Sequence, residues 1–99
     1  MPVAIVQDWV EEETDRSTKN YDALSRRLAE RGGDPPAGLH VHTAGFTGNG
    51  FRIFEVWDSR EHFDRFVAET LMPLVAEIEA GDARPPQLTV YELYNVVLH

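Results

Sequence analysis

Three observations predict an α+β domain with the order β-α-β-β-α-β. Four runs rich in β-branched and aromatic residues alternate with two stretches whose apolar residues recur at helical spacing. The two middle strand-like runs are joined by a short turn containing Gly and Asn, which makes them a hairpin. No second set of elements follows, and 99 residues suit one domain, spanning 1–99. This is the ferredoxin-like arrangement, in which right-handed crossovers place both helices on one face of a four-stranded antiparallel sheet.

The first strand is read from "VAIVQDWV" (3–10). Glu11, Glu12, Glu13 and Asp15 then mark a solvated connection. In "STKNYDALSRRLAERGG", Ser17 or Thr18 is placed to cap a helix, and Tyr21, Leu24 and Leu28 form its apolar stripe. Gly32–Gly33 ends it, and Asp34-Pro35-Pro36 prevents a restart. "GLHVHTAGF" and "FRIFEVW" are the hairpin strands around "TGNG", where Gly48, Asn49 and Gly50 tolerate positive φ. The second helix opens with Asp58 followed by Glu61, a capping signature for which Ser59 competes. Its stripe is Phe63, Phe66, Val67, Leu71, Leu74, Val75 and Ile78. Pro73 falls inside it and is expected to kink or split the helix. "GDARPPQ" is a loop, and "LTVYELYNVV" is the last strand.

Composition removes whole classes of function. The formal charge is −8 and the pI near 4.8, so phosphate backbones and anionic lipid are repelled, and neither nucleic acid nor membrane is an expected partner. Absence of Cys excludes disulfides, thiolate nucleophiles and Cys-ligated metals. "MPVAIVQDWVEEE" lacks the basic segment of a signal peptide, and no stretch approaches the roughly 20 apolar residues of a membrane span, so the expected location is cytoplasmic.

The strands are apolar on both faces. Val3, Ile5 and Trp9 oppose Ala4, Val6 and Val10 in the first; Leu88, Val90, Tyr94 and Val96 oppose Tyr91, Leu93 and Val97 in the last. Helices cover one face only. Leaving several such side chains wet forfeits roughly 1.5–3 kcal/mol each, so a homodimer packing sheet to sheet is expected.

Hairpin arithmetic places the polar residues of interest. If Thr47 to Gly50 form the loop, Phe46 faces Phe51, His42 faces Glu55 and His40 faces Trp57. His40, His42, Phe46, Phe51, Ile53, Glu55 and Trp57 then share one face; Leu39, Val41, Thr43, Arg52, Phe54 and Val56 share the other. Three chemistries fit this face. His-x-His with Glu55 supplies metal-ligand types. A His beside a carboxylate is an oriented acid–base pair. Two polar residues satisfying each other in a partly wet cavity is a purely structural arrangement. His40 is the likelier bystander of the two. His62 is expected on a solvated helix face, and Trp57 either roofs the core or walls a ligand cavity.

The stretch "HVHTAGFTGNGFRIFEVWDSREHFDRFVAETLMPLV", with Gly50 in the hairpin, "FEVWDS" closing the strand, "FDRF" opening the helix, Pro73 after "TLM" and a chain end "YNVV", resembles small proteins of the antibiotic-biosynthesis-monooxygenase type. The resemblance covers nearly the whole chain. It implies a ferredoxin-like protomer, two of which form a dimeric α+β barrel, with a cavity between sheet and helices in each. It also implies a monooxygenase that oxidises a small aromatic or polyketide-type phenol or quinol with O₂ and without any cofactor. On this sequence His42 is then the base and Glu55 its orienting partner, with Trp57, Phe46, Phe51, Tyr94 and His40 around the substrate. Cyclases, isomerases, heme degraders and non-catalytic ligand-binding or stress-related proteins share the superfamily. Heme-degrading relatives carry an axial His about ten residues after the strand-end Trp and an Asn in strand one. Here those places hold Val67 and the pair Gln7–Asp8, which disfavours heme degradation.

Overall fold

The strand nearest the N-terminus forms the middle of the sheet, because it is hydrogen-bonded on both sides. The computed structural model describes residues 1–10, 19–30, 36–79 and 85–98. The acidic run at 11–15, the Ser17 or Thr18 cap, the Gly32–Gly33 stop and most of the loop after 80 lie outside the described residues. The elements are β1 (Val3–Val10), α1 (Lys19–Glu30), β2 (Leu39–Thr47), β3 (Gly50–Trp57), α2 (Arg60–Phe66), a π-helical turn (Val67–Leu71), α3 (Met72–Glu79) and β4 (Gln87–Glu92). The sheet order is β2-β3-β1-β4 and every neighbouring pair is antiparallel. That is the ferredoxin-like protomer expected from the sequence. Among the described residues no helix is long and apolar enough to cross a membrane.

Period-two alternation gives each strand a face toward the helices. Val3, Ile5 and Trp57 meet Phe63 of α2 there, with Leu39, Phe66, Val67 and Val90 packed around them. Trp57 and Ile5 are fully buried, and the Trp57 ring meets Phe63 edge-on at 5.7 Å and Phe66 at 5.6 Å. The opposite face carries Val6, Phe54, Thr43 and Tyr91 with the Asp8–Arg52 ion pair at 2.6 Å.

The hairpin keeps the expected register, Phe46 facing Phe51, and its ladder runs one pair further, with Thr47 facing Gly50 around a Gly48–Asn49 turn. Gly50 is required by contact rather than by φ, since a Cβ there would lie 1.9 Å from the Trp9 carbonyl oxygen. Gly48 uses no left-handed φ and has open space around it. Positive φ falls on Gly38, at +89°, where the His62 ring lies against the backbone.

Three expectations are corrected. First, His42 faces Glu55 as expected, but a β-bulge between Leu39 and Val41 sets Leu39, not His40, opposite Trp57. The extra residue turns Leu39 into the core and leaves His40 exposed. Second, Ser59, not Asp58, caps α2, its hydroxyl accepting from the His62 N–H at 3.3 Å. His62 accordingly is half-buried, its Nδ1 2.7 Å from the Ser59 hydroxyl, rather than on a solvated face. By contrast, Pro73 splits the α-helix as expected, α2 and α3 being separated by the Val67–Leu71 turn. The chain stays helical through a π turn, in which the Met72 N–H bonds to the Val67 carbonyl. The wider turn just ahead of Pro73 accommodates a ring that crowds the carbonyl four residues back and supplies no N–H. Third, the last strand ends at Glu92. Glu92 faces Val3, and the Leu93 N–H bonds to the Pro2 carbonyl at 2.9 Å, so β1 has no further residues to pair with. Residues 93–98 continue without strand pairing in the protomer, and Tyr94 is 98% exposed.

Candidate functional site

Glu55 is a buried carboxylate, at 6% exposure among the core residues. Such a group is tolerated only where its oxygens meet donors. It occupies this place because β3 alternates: Phe51, Ile53, Glu55 and Trp57 all face the helices. Both oxygens are satisfied from the same face. Trp57 Nε1, a donor only, gives its proton to Oε1 at 3.1 Å. His42 Nδ1, on the neighbouring strand, lies 2.5 Å from Oε2.

The chemistry of the partners assigns the imidazole. A carboxylate oxygen accepts, so Nδ1 carries the proton and Nε2 is left as the acceptor. The Tyr21 hydroxyl lies 2.7 Å from Nε2 and donates to it. The two rings are 8° from parallel with centroids 6.0 Å apart, while the hydroxyl reaches the nitrogen directly. At that centroid separation the phenol ring does not lie over the imidazole face, and its hydroxyl is the part that meets the ring. Four side chains from three elements make one chain of hydrogen bonds: Tyr21 on α1, His42 on β2, and Glu55 and Trp57 on β3.

This chain runs from core to surface, with the side chains of His42 and Glu55 39% and 8% exposed. Aromatic rings bracket it. Trp57, Phe63 and Phe66 seal the inner end. Phe51 lies at the outer end, 5.6 Å from Tyr21, 5.3 Å from Phe46 and 6.4 Å from Trp9. The arrangement holds an imidazole in one tautomer, backs it with a carboxylate, and surrounds it with flat apolar surface. It can accept a proton at Nε2 and stabilise the resulting cation.

Of the residues expected at the site, His42, Glu55, Trp57, Phe46 and Phe51 are brought to one face. Trp57 is wholly buried and holds Glu55. His40 lies apart, its Nε2 2.5 Å from Asp58 Oδ1 at the head of α2; that hydrogen bond holds the Asp58 carboxyl below the usual carboxylate range. Tyr94 stands in the exposed tail. Among the described residues no group of three His, Asp or Glu side chains is placed to hold a metal ion. Val67, at the helix position discussed for an axial ligand, packs against the core. Tyr21 escaped the sequence reading because its spacing with Leu24 and Leu28 marks it as part of an apolar stripe. Its polar tip was the only available signal.

No family model matches the chain, and no curated protein matches it by sequence. Solved structures do match by shape. Rv0793 from Mycobacterium tuberculosis is 18% identical, with a TM-score of 0.68 over 99% of this chain and 100% of that one. SnoaB from Streptomyces nogalater, a cofactor-independent oxygenase, is 15% identical, with a TM-score of 0.63 over 99% and 98%. The heme-degrader MhuD from Mycobacterium tuberculosis, with two hemes bound in its active site, is 18% identical, with a TM-score of 0.56 over 98% and 99%. At these identities the likeness shows the fold alone, the ferredoxin-like α+β arrangement described above.

Proposed function

We propose that this protein is a cofactor-independent oxygenase acting on a small aromatic phenol or quinol, with His42 as the base, and that it works as a homodimer. The observation that carries the reading is the His42–Glu55 pair, in which a buried carboxylate orients an imidazole whose second nitrogen points away from it. Glu55 gains its own second donor from Trp57, so the pair is held rigidly. The aromatic side chains Phe46, Phe51 and Tyr21 supply flat surface for a ring-shaped substrate. Similarity of fold to SnoaB supports oxygenation as the chemistry.

In this reading the protein removes a proton, orients the anion and excludes water. Loss of the acidic proton, from the O–H of a phenol or quinol or from the CH₂ of an anthrone, leaves an electron-rich anion that itself reduces O₂. For an anthrone, the reactive CH₂ loses two hydrogens and gains one oxygen atom as a carbonyl, and the second oxygen atom leaves as water. Imidazolium formed on His42 is stabilised by the Glu55 carboxylate.

The dimer is supported by the open face of the sheet. Val6, Phe54, Val10 and Tyr91 lie there on the side away from the described helices, Val10 54% and Tyr91 48% exposed. Air-saturated protein mixed with anthrone tests the catalytic reading: quinone formation faster than the buffer reaction, and its loss in His42→Gln, are expected. Tight anthrone binding without oxygen consumption would instead make this a ligand-binding module.

A further inference from the structure

We propose that Tyr21, rather than His42 itself, meets the acidic hydroxyl of the substrate and relays its proton to His42. The inference rests on His42 being the base. Both imidazole nitrogens are already engaged by the protein: Nδ1 with Glu55 at 2.5 Å and Nε2 with Tyr21 at 2.7 Å. A substrate in direct contact with Nε2 would have to break the second bond and pull Tyr21 away from Phe51, whose ring it meets edge-on at 5.6 Å. A relay breaks neither contact. A tyrosine hydroxyl has one proton to donate and two lone pairs to accept with. Its proton is committed to Nε2, so its oxygen faces an incoming hydroxyl as an acceptor. Tyr21 is half-buried at the outer, aromatic end of the chain, where a flat substrate meets the protein first.

The step balances within the three groups. The substrate O–H bond breaks and its proton joins Tyr21 Oη. The original Tyr21 O–H bond breaks and that proton joins His42 Nε2. Tyr21 ends as it began, the substrate is an anion, and the imidazolium is paired with Glu55. No oxidant enters this step. The 2.7 Å between the Tyr21 hydroxyl and Nε2 is within reach of such a transfer.

The test uses 2-naphthol, whose neutral and ionised forms absorb at different wavelengths, titrated with the intact protein. In the wild type the bound naphthol should ionise about one pH unit lower than free naphthol, a tenfold gain in phenolate. Tyr21→Phe should bind naphthol with similar strength and lose the shift. His42→Gln should lose it too, and the double variant should be no worse than either single one, because the two act as a unit. A Tyr21→Phe protein that keeps or enlarges the shift overturns the relay and makes Tyr21 a cover over a directly acting His42. A wild type that leaves naphthol unperturbed overturns it as well. A shift surviving in His42→Gln removes the base assignment itself. Anthrone turnover is read separately: its absence alongside an intact naphthol shift ends the oxygenase reading and leaves the relay standing.

Discussion

His42 Nδ1 lies 2.5 Å from Glu55 Oε2, between residues that face each other directly across the β2–β3 hairpin. One oxygen of a buried carboxylate thereby selects the imidazole tautomer, and the other is occupied by Trp57. The pair is therefore a three-member unit, and disturbing its inner end should be felt at its outer one.

Trp57→Phe keeps an aromatic ring against Phe63 and Phe66 but removes the Nε1–H that serves Glu55. Leaving that oxygen without its donor should cost about 1–3 kcal/mol in urea unfolding. Trp57→Ala should cost about 3–5 kcal/mol, because it also opens a cavity in the core. A Trp57→Phe protein as stable as the wild type would mean that the indole N–H contributes nothing.

Gly50→Ala should destabilise by about 1–3 kcal/mol or more, because its Cβ would meet the Trp9 backbone, which cannot move without parting β1 from β3. Gly48→Ala, two residues away, has open space and should lie within about 0.5 kcal/mol of the wild type. Thermal melts of the two variants side by side check the contrast.

Those two glycines show how legibility divides. The hairpin and the His42–Glu55 pairing were readable because period-two alternation carries register across a short turn. The same arithmetic failed two residues further on, at His40, because a one-residue bulge cannot be seen in an apolar pattern. The close approach that demands Gly50 comes from β1, a neighbour forty residues earlier in the chain. Tyr21 looked like a core residue, since helical spacing reports which side faces the sheet and not what the hydroxyl touches. The apolar pattern of "LYNVV" runs on past the end of β4 because pairing stops when β1 does, a limit set by another strand.

Stability should depend on acid through Asp58. Its folded-state pKa is lowered by the bond from His40, so the contribution is present above the ordinary carboxylate range and is lost as pH falls through the folded value. The stability difference between wild type and Asp58→Asn should therefore be visible near neutrality and close below the ordinary carboxylate range. In a His40→Ala background the gap should shrink at every pH. A gap that widens in acid contradicts this assignment.

Phe54 faces the open side of the sheet. Sedimentation of the wild type at micromolar concentration should give twice the chain mass, and Phe54→Glu should sediment as a monomer. A wild type that stays monomeric there refutes the sheet-to-sheet dimer.

Base catalysis by His42 turns on the direction of the hydrogen bonds through it, and ¹⁵N NMR of its imidazole reads that direction. Neutral His42 in the wild type should carry its proton on Nδ1, with Nε2 showing the shift of an acceptor nitrogen. In Glu55→Gln the amide oxygen is claimed by Trp57, so the amide NH₂ faces His42, Nδ1 must accept, and the proton should move to Nε2. A wild-type imidazole protonated on Nε2, or a tautomer indifferent to Glu55→Gln, would contradict the account.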